Sequence, residues 1–207
     1  MLDELGIPVV YTHDGSSHVE GHHLSQLEDD KSRYKDSSVI LLFRDPRDVT
    51  VSSFFQVTKR LKKEYTGTLS DFIRDKHHGL EKVIAFYRIW LRHLDIPQTT
   101  LIVSYEEMHD DAVATMKKIL DFLQTPVPEK RLVALTEKFG FKNMQQMEKD
   151  GKFSGTYGKW LSPGDPEDPE SFKTRKGKPG GYADYLSGED IAWCNEVLKN
   201  ANLDLGY

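Results

Sequence analysis

Chemistry in this chain is suggested first by an arginine and a serine held eight positions apart. In Phe43-Arg44-Asp45-Pro46-Arg47-Asp48-Val49-Thr50-Val51-Ser52-Ser53-Phe54, Arg44 follows an apolar run and Ser52 falls within the stretch after a proline. A guanidinium offers a planar fork of donors suited to a phosphate, and a helical hydroxyl can add a further hydrogen bond. The same tripeptide Arg44-Asp45-Pro46 in isolation also suits a salt-bridged turn. A second anion-seeking segment lies far downstream. Phe172-Lys173-Thr174-Arg175-Lys176-Gly177-Lys178-Pro179-Gly180-Gly181-Tyr182 combines basic side chains with glycines whose exposed amides can form a nest for an anion. Taken alone it also reads as a flexible basic loop. Histidines gather at His13, His18, His22 and His23, and again at His77-His78. Their spacing, without a cysteine cluster beside them, reads as solvated loop and predicts no metal site.

These groups need elements to hold them, and the hydrophobic pattern supplies candidates. Val39 to Phe43 is β-branched at its start and wholly apolar, as a parallel strand covered on both faces tends to be. Asp45 and Pro46 then predict a helix start, as cap and first helical residue. Val51, Phe54, Phe55, Thr58 and Leu61 share one face of that helix. Ile7 to Tyr11 reads as a short strand after a helix tail at Leu2 to Leu5, and Leu101 to Val103 as a third strand followed by a turn at Tyr105-Glu106-Glu107. Helices are expected over Leu69 to Asp75 and across the amphipathic spacing of Leu80, Val83, Ile84, Tyr87, Leu91 and Leu94. Further helices are expected on Val113 to Leu123, Glu129 to Lys138 and Asn143 to Lys149, and a last one is capped at Ser187. His13 to Asp36 reads as loop with a short helix, and Gly151 to Gly181 as a long functional loop.

Strands alternating with helices predict an α/β fold with a parallel sheet, and such sheets bind ligands at the carboxyl ends of their strands. Thr12-His13, Arg44 and Tyr105 would all sit there. The 207 residues predict a single domain. A formal net charge of −5 argues against a duplex nucleic-acid binder, so any anion site is a local basic cluster. Cys194 is the lone cysteine, which excludes an intrachain disulfide and fits a reducing compartment. With no membrane-length apolar run and no signal-peptide pattern at Met1 to Leu5, the expectation is a cytoplasmic protein.

Together these segments resemble the cytosolic-type sulfotransferases that use 3′-phosphoadenosine 5′-phosphosulfate (PAPS). Arg44 and Ser52 match the family's 3′-phosphate motif, and Arg175-Lys176-Gly177 its C-terminal loop, although Gly180-Gly181-Tyr182 stands where the family usually continues Gly-Asp-Trp. Val103-Ser104-Tyr105-Glu106-Glu107-Met108 is similar to the segment whose tyrosine lies on the adenine side. Phe139-Gly140-Phe141-Lys142-Asn143-Met144 resembles the one supplying adenine contacts, which implies Phe141 and Met144. Packing is an equally good account of Tyr105, Phe141 or Met144 singly. Val9-Val10-Tyr11-Thr12-His13 is similar to the family's Lys-Thr-His strand, which implies His13 as the base that deprotonates an acceptor, with Tyr11 where lysine is usual.

The resemblance implies a P-loop-NTPase-like parallel sheet flanked by helices, and sulfonate transfer from PAPS to a hydroxyl or amine of a small acceptor, leaving 3′-phosphoadenosine 5′-phosphate (PAP). The chain contains no counterpart of the family's Pro-Lys-Ser-Gly-Thr-Thr-Trp loop, which holds the 5′-phosphosulfate on backbone N–H groups and a lysine. The expectation is therefore a domain N-terminally truncated relative to the family, transferring poorly alone, its sheet covered by a missing N-terminal segment or an oligomer partner. A non-catalytic nucleotide- or partner-binding relative and a P-loop kinase-like protein are the alternatives. Tyr157 and Trp160 are candidates for lining an acceptor pocket, with ordinary packing as the simpler account.

Overall fold

A computed structural model describes residues 8–17, 21–61, 65–153 and 161–203. Strand β1 (Ser38–Phe43) and strand β2 (Thr99–Ser104) pair in parallel, Ser38 opposite Thr99 through Phe43 opposite Ser104. Their parallel direction requires a crossover, and helices α1 (Pro46–Phe55), α2 (Leu69–Arg74) and α3 (Leu80–Arg92) make it. Helices α4 (Tyr105–Asp110), α5 (Ala112–Phe122), α6 (Glu129–Lys138) and α7 (Phe141–Lys149) follow β2, and α8 (Gly188–Ala201) comes last. The fold is α/β, with a parallel sheet and flanking helices, as the alternation predicts.

Helix α3 is the keystone because two of its faces are apolar. Leu80 and Ile84 join Val51 of α1, Ile73 of α2 and Cys194 of α8 in one buried cluster. Val83, Tyr87 and Trp90 face the other way, onto Leu41 and Phe43 of β1. Phe43 and Tyr87 stack with ring centroids 4.2 Å apart. Full burial of a side chain of this size contributes roughly 1.5–3 kcal/mol, so the contact anchors the end of β1. Local chemistry sets the helix starts. Asp45 accepts from the Arg47 amide, with Pro46 in the first turn of α1, and Ser187 accepts from the Asp190 amide at α8.

Several expectations change. Pro8 to Tyr11 are in no strand; Val10 and Tyr11 are 87% and 86% exposed. An apolar run becomes a strand only where a neighbouring strand takes up its backbone groups, and none pairs with these residues among those described. Ile7 and the helix tail at Leu2 to Leu5 lie outside the described residues, as do His18, Tyr157 and Trp160. Leu42, on the face of β1 away from α3, is 57% exposed. Tyr105-Glu106-Glu107 is the first turn of α4 rather than a free turn, because the Ser104 side chain caps the Glu107 amide. Helix α1 runs on into a single π-helical turn (Gln56–Arg60), and His13 to Asp36 contains short 3-10 turns at Leu24–Gln26 and Ser32–Tyr34.

Candidate functional site

Arg44 leaves the end of β1 with its backbone locked. The Arg44 amide donates to Tyr87 Oη at 3.1 Å, and that hydroxyl donates to the Arg44 carbonyl at 2.9 Å. Burial pushes the Tyr87 phenol up to about 12, so the hydroxyl stays protonated and available as donor. At the next residue Asp45 N donates to Glu106 Oε1 at 3.0 Å, tying the start of α1 to α4.

The Arg44 guanidinium is held on three sides. It lies over the Tyr105 ring at 4.0 Å, and its Nη2 donates to Asp48 Oδ2 and to the Lys178 carbonyl, both at 3.2 Å. Its buried Nε has no hydrogen-bond partner. Burial raises the Tyr105 phenol and the adjacent guanidinium opposes that rise. Ser52 lies one helical turn beyond Asp48, on the same face of α1. Thr50, Ser53 and Thr58 each donate back to the carbonyl four residues earlier, whereas the exposed Ser52 hydroxyl makes no hydrogen bond among the described residues. An uncommitted hydroxyl and an underused guanidinium are therefore presented from one strand–helix junction.

The loop from Phe172 to Tyr182 reaches this junction although it is more than a hundred residues away. Asp48, buried beneath the loop, is the residue that sequence reading overlooked. Its Oδ2 accepts from Gly180 N at 2.9 Å and its Oδ1 from Tyr182 N at 2.8 Å. A buried carboxylate with charge-assisted partners avoids the large cost of an unpaired buried charge. Glu148 of α7 does the same at the other end of the loop. Its Oε1 accepts from Lys173 N at 2.7 Å, and its Oε2 from Thr174 N at 2.9 Å and Thr174 Oγ1 at 2.6 Å. Gln145 Nε2 adds a bond to the Thr174 carbonyl at 2.9 Å.

These bonds bring α7 against the loop. Gly177 takes φ +61°, and a Cβ there would come within 2.1 Å of the Phe141 ring, so the ring lies flush on the glycine backbone. Only glycine fits such a place. Phe141 keeps 38% of its surface exposed, and Met144, on the same helix, is partly buried.

Three of the loop's cations, Arg175, Lys176 and Lys178, are engaged. Arg175 turns inward, donating to Glu170 Oε2 at 3.0 Å and lying between the rings of Phe55 and Tyr185 at 4.1 and 4.7 Å. Lys176 and Lys178 share Asp184 Oδ2 at 2.7 and 2.9 Å. The two ammonium groups hold the exposed Asp184 carboxyl down at about 2. An incoming anion thus meets exposed amides and partly neutralised lysines, with Arg175 held back.

His13 stands apart. Its ring is exposed and has no partner among the described residues, while its carbonyl accepts from Ser16 N at 2.9 Å and Ser16 Oγ at 2.6 Å. The neighbouring Asp14 is the anchor: it is buried and takes an ion pair from Lys31 at 2.8 Å, a hydrogen bond from Tyr34 Oη at 2.7 Å, and another from Arg33. Lys31 is 1% exposed and lies over the Trp90 ring at 5.3 Å. No hydrogen bond, ion pair or ring contact joins His13 to the Arg44 cluster among the described residues. His23, His77 and His78 lie near one another, with His23 and His77 ring centroids 5.0 Å apart. No metal-binding group of three or more ligands occurs among the described residues.

In sequence, arrangement and fold, the chain has known counterparts. A family model described as the sulfotransferase domain matches residues 16–205. Sulfotransferase 2A6 of Rattus norvegicus is 30% identical over 115 residues, 53% of this chain and 39% of that protein. Flavonol 3-sulfotransferase of Flaveria bidentis is 23% identical over 185 residues, covering 82% and 56%. Among solved structures, retinol dehydratase in complex with androsterone and the inactive cofactor PAP superposes with a TM-score of 0.66 at 22% identity, covering 88% of this chain and 51% of that one. Mouse sulfotransferase SULT7A1 complexed with PAP gives 0.61 at 21% identity, covering 82% and 60%. The chain therefore spans between about two fifths and three fifths of the length of these relatives. The match over residues 16–205 takes in the Arg44–Ser52 junction, the loop from Phe172 to Tyr182 and both carboxylates that join them, and this chain belongs to the sulfotransferase family.

Proposed function

We propose that this chain binds the 3′-phosphate and adenine of a PAPS-type nucleotide, and that the binding serves sulfonate transfer to a hydroxyl or amine acceptor. The observation that carries this reading is the interlock of two distant basic segments through Arg44, Asp48 and the Lys178 to Tyr182 backbone. The residues fit such a nucleotide. The buried Nε of Arg44 lacks a partner, the Ser52 hydroxyl is uncommitted, and the exposed aromatic Phe141 is backed by Gly177. Arg44, Ser52 and the amides around Gly177 would hold the 3′-phosphate; Tyr105, Phe141 and Met144 would border the base. Lys176 gives up part of its pairing with Asp184 on the approach of a phosphate, and Arg175 contributes from its place on Glu170.

PAPS, when bound, supplies the sulfonate and leaves as PAP. His13 is the group in this chain suited to take the acceptor's proton, since an imidazole nitrogen can accept one from a hydroxyl or amine. Its exposed ring has the freedom to accept one, and its turn is held by Asp14. The 207 residues include no lysine-bearing loop of the phosphosulfate-holding type, and loss of such a transition-state donor costs on the order of a hundred- to thousandfold in rate. Weak turnover by this chain alone is expected.

Calorimetric titration with PAP tests the reading. The wild-type chain should bind PAP in preference to adenosine 5′-monophosphate, and Arg44→Ala should weaken PAP by about ten- to a hundredfold, the worth of a hydrogen bond to a charged group. ATP binding with no preference for a 3′-phosphate would point instead to a kinase-like site, and robust PAPS-dependent turnover by the chain alone would refute the expected weakness of transfer.

A further inference from the structure

Two buried carboxylates, Asp48 and Glu148, clamp opposite ends of one loop, and each belongs to a helix that carries a different part of the proposed site. Asp48 lies on α1 with Ser52 and grips Gly180 and Tyr182, while also taking a bond from Arg44. Glu148 lies on α7 with Phe141 and Met144 and grips Lys173 and Thr174. Both residues are buried, at 3% and 2% exposure, so neither is placed to touch a ligand directly. Between the clamps the loop carries the positive-φ residues Gly177 and Gly180. A loop with such glycines has wide conformational freedom when untethered, and ordering it at the moment of binding would subtract from affinity.

We propose that Asp48 and Glu148 are positioning residues that divide the nucleotide between them: Asp48 sets the 3′-phosphate side by fixing the Arg44 guanidinium against the Gly180–Tyr182 turn, and Glu148 sets the base side by seating the loop against Phe141. The assignment rests on the nucleotide reading above. A negative charge near a phosphate site would ordinarily repel the ligand. Here the Asp48 carboxylate is surrounded by the Arg44 guanidinium and the Gly180 and Tyr182 amides, so what it adds is geometry. With Nη2 of Arg44 spent on Asp48 and the Lys178 carbonyl, Nη1 and the unpartnered Nε are left for an anion.

Asp48→Asn and Glu148→Gln keep shape while halving the acceptor capacity of each clamp. Binding is measured with PAP and with adenosine 5′-monophosphate, so that the ratio of the two isolates the 3′-phosphate. D48N should lose about tenfold for PAP and less than about threefold for adenosine 5′-monophosphate. E148Q should weaken both nucleotides by a similar factor of about three to ten. Because Asp48 acts through Arg44, D48N should cost less than about twofold in an R44A background. Hydrogen exchange of the free proteins reads the clamps without any ligand: the Gly180 and Tyr182 amides should exchange at least about tenfold faster in D48N, and those of Lys173 and Thr174 in E148Q. Should D48N fail to fold, Tyr182→Pro removes an amide donor from the loop side, in the first turn of a 3-10 segment (Gly181–Asp184) where proline is tolerated. Its expected nucleotide ratio is that of D48N.

Tighter PAP binding by D48N would mean that repulsion outweighs geometry and would overturn the assignment, as would equal losses for both nucleotides or an undiminished effect beside R44A. Unchanged exchange at Gly180 and Tyr182 overturns the positioning role by itself. A wild-type chain that binds no PAP while the exchange changes appear defeats the nucleotide reading and leaves the clamps established.

Discussion

The Arg44 end and the His13 end of this chain are built by opposite methods. Around Arg44, side chains from α1 and α7 reach across to a distant loop and Glu106 of α4 ties down the start of α1, while Arg44 Nε and the Ser52 hydroxyl stay uncommitted. Around His13 the ring is free, and rigidity comes from the next residue, where Asp14 is locked by Lys31, Arg33 and Tyr34. At the first end the ordering groups bond the proposed ligand contacts directly, Asp48 holding Arg44 and the loop amides. At the second they are separated by one position, so the anchor can be lost without removing the ring, and the ring without disturbing the anchor.

Asp14→Ala breaks this contrast most strongly. It strands Lys31, which is fully buried, and removing one partner of a buried ion pair costs about 3–5 kcal/mol. Urea denaturation should show that loss, whereas a shift under about 1 kcal/mol would mean that Lys31 relaxes to solvent and that the His13 turn is not anchored as described.

Acid separates two depressed carboxylates. Burial alone would raise Asp14, but hydrogen bonds from Lys31, Tyr34 and Arg33 outweigh it and hold its carboxyl below the usual 3.8. Asp184 is held at about 2 by Lys176 and Lys178 at the surface. A folded-state value below the unfolded one stabilises the protein above the unfolded value, and that stability disappears as pH falls through the folded value. As pH falls below about 4, wild type should therefore lose stability through Asp14. Asp184→Asn, removing only a screened surface pair, should leave the acid limb of the curve where it is. Thermal melts across that window decide between the two carboxylates, and an acid limb abolished by Asp184→Asn would reverse their ranking.

The smallest effect is expected from His13→Ala. With no partner for the ring among the described residues, the unfolding free energy and the PAP binding free energy should each stay within about 0.5 kcal/mol of wild type. Any weak PAPS-dependent transfer should fall. A substantial loss of PAP affinity would instead place the imidazole in the nucleotide site.

Much of the architecture can be read from neighbouring residues. The Asp45-Pro46 start, the amphipathic spacing of α3 and the Ser187 cap depend on partners within about one helical turn, and the structure has them where the pattern puts them. The run ending at Tyr11 misled because an apolar, β-branched segment has strand character only beside another strand. Asp48 and Glu148 were invisible for a different reason. Both look like ordinary surface helix acids in the linear pattern, and their partners are backbone amides, which every residue but proline possesses and which leave no mark on composition.

The sequence by itself determined the helix caps, the β1 and β2 runs, and the presence of Arg44, Ser52 and the glycine-rich basic loop in one chain. Only the tertiary structure decided that the loop meets Arg44 through Asp48, that Phe141 lies on Gly177, and that Arg175 lies over Phe55. The physical reason is range. Caps and periodicity act over a few residues, whereas the Asp48 carboxylate bonds an amide 132 positions away, and that pairing exists only once α1 and the loop have packed.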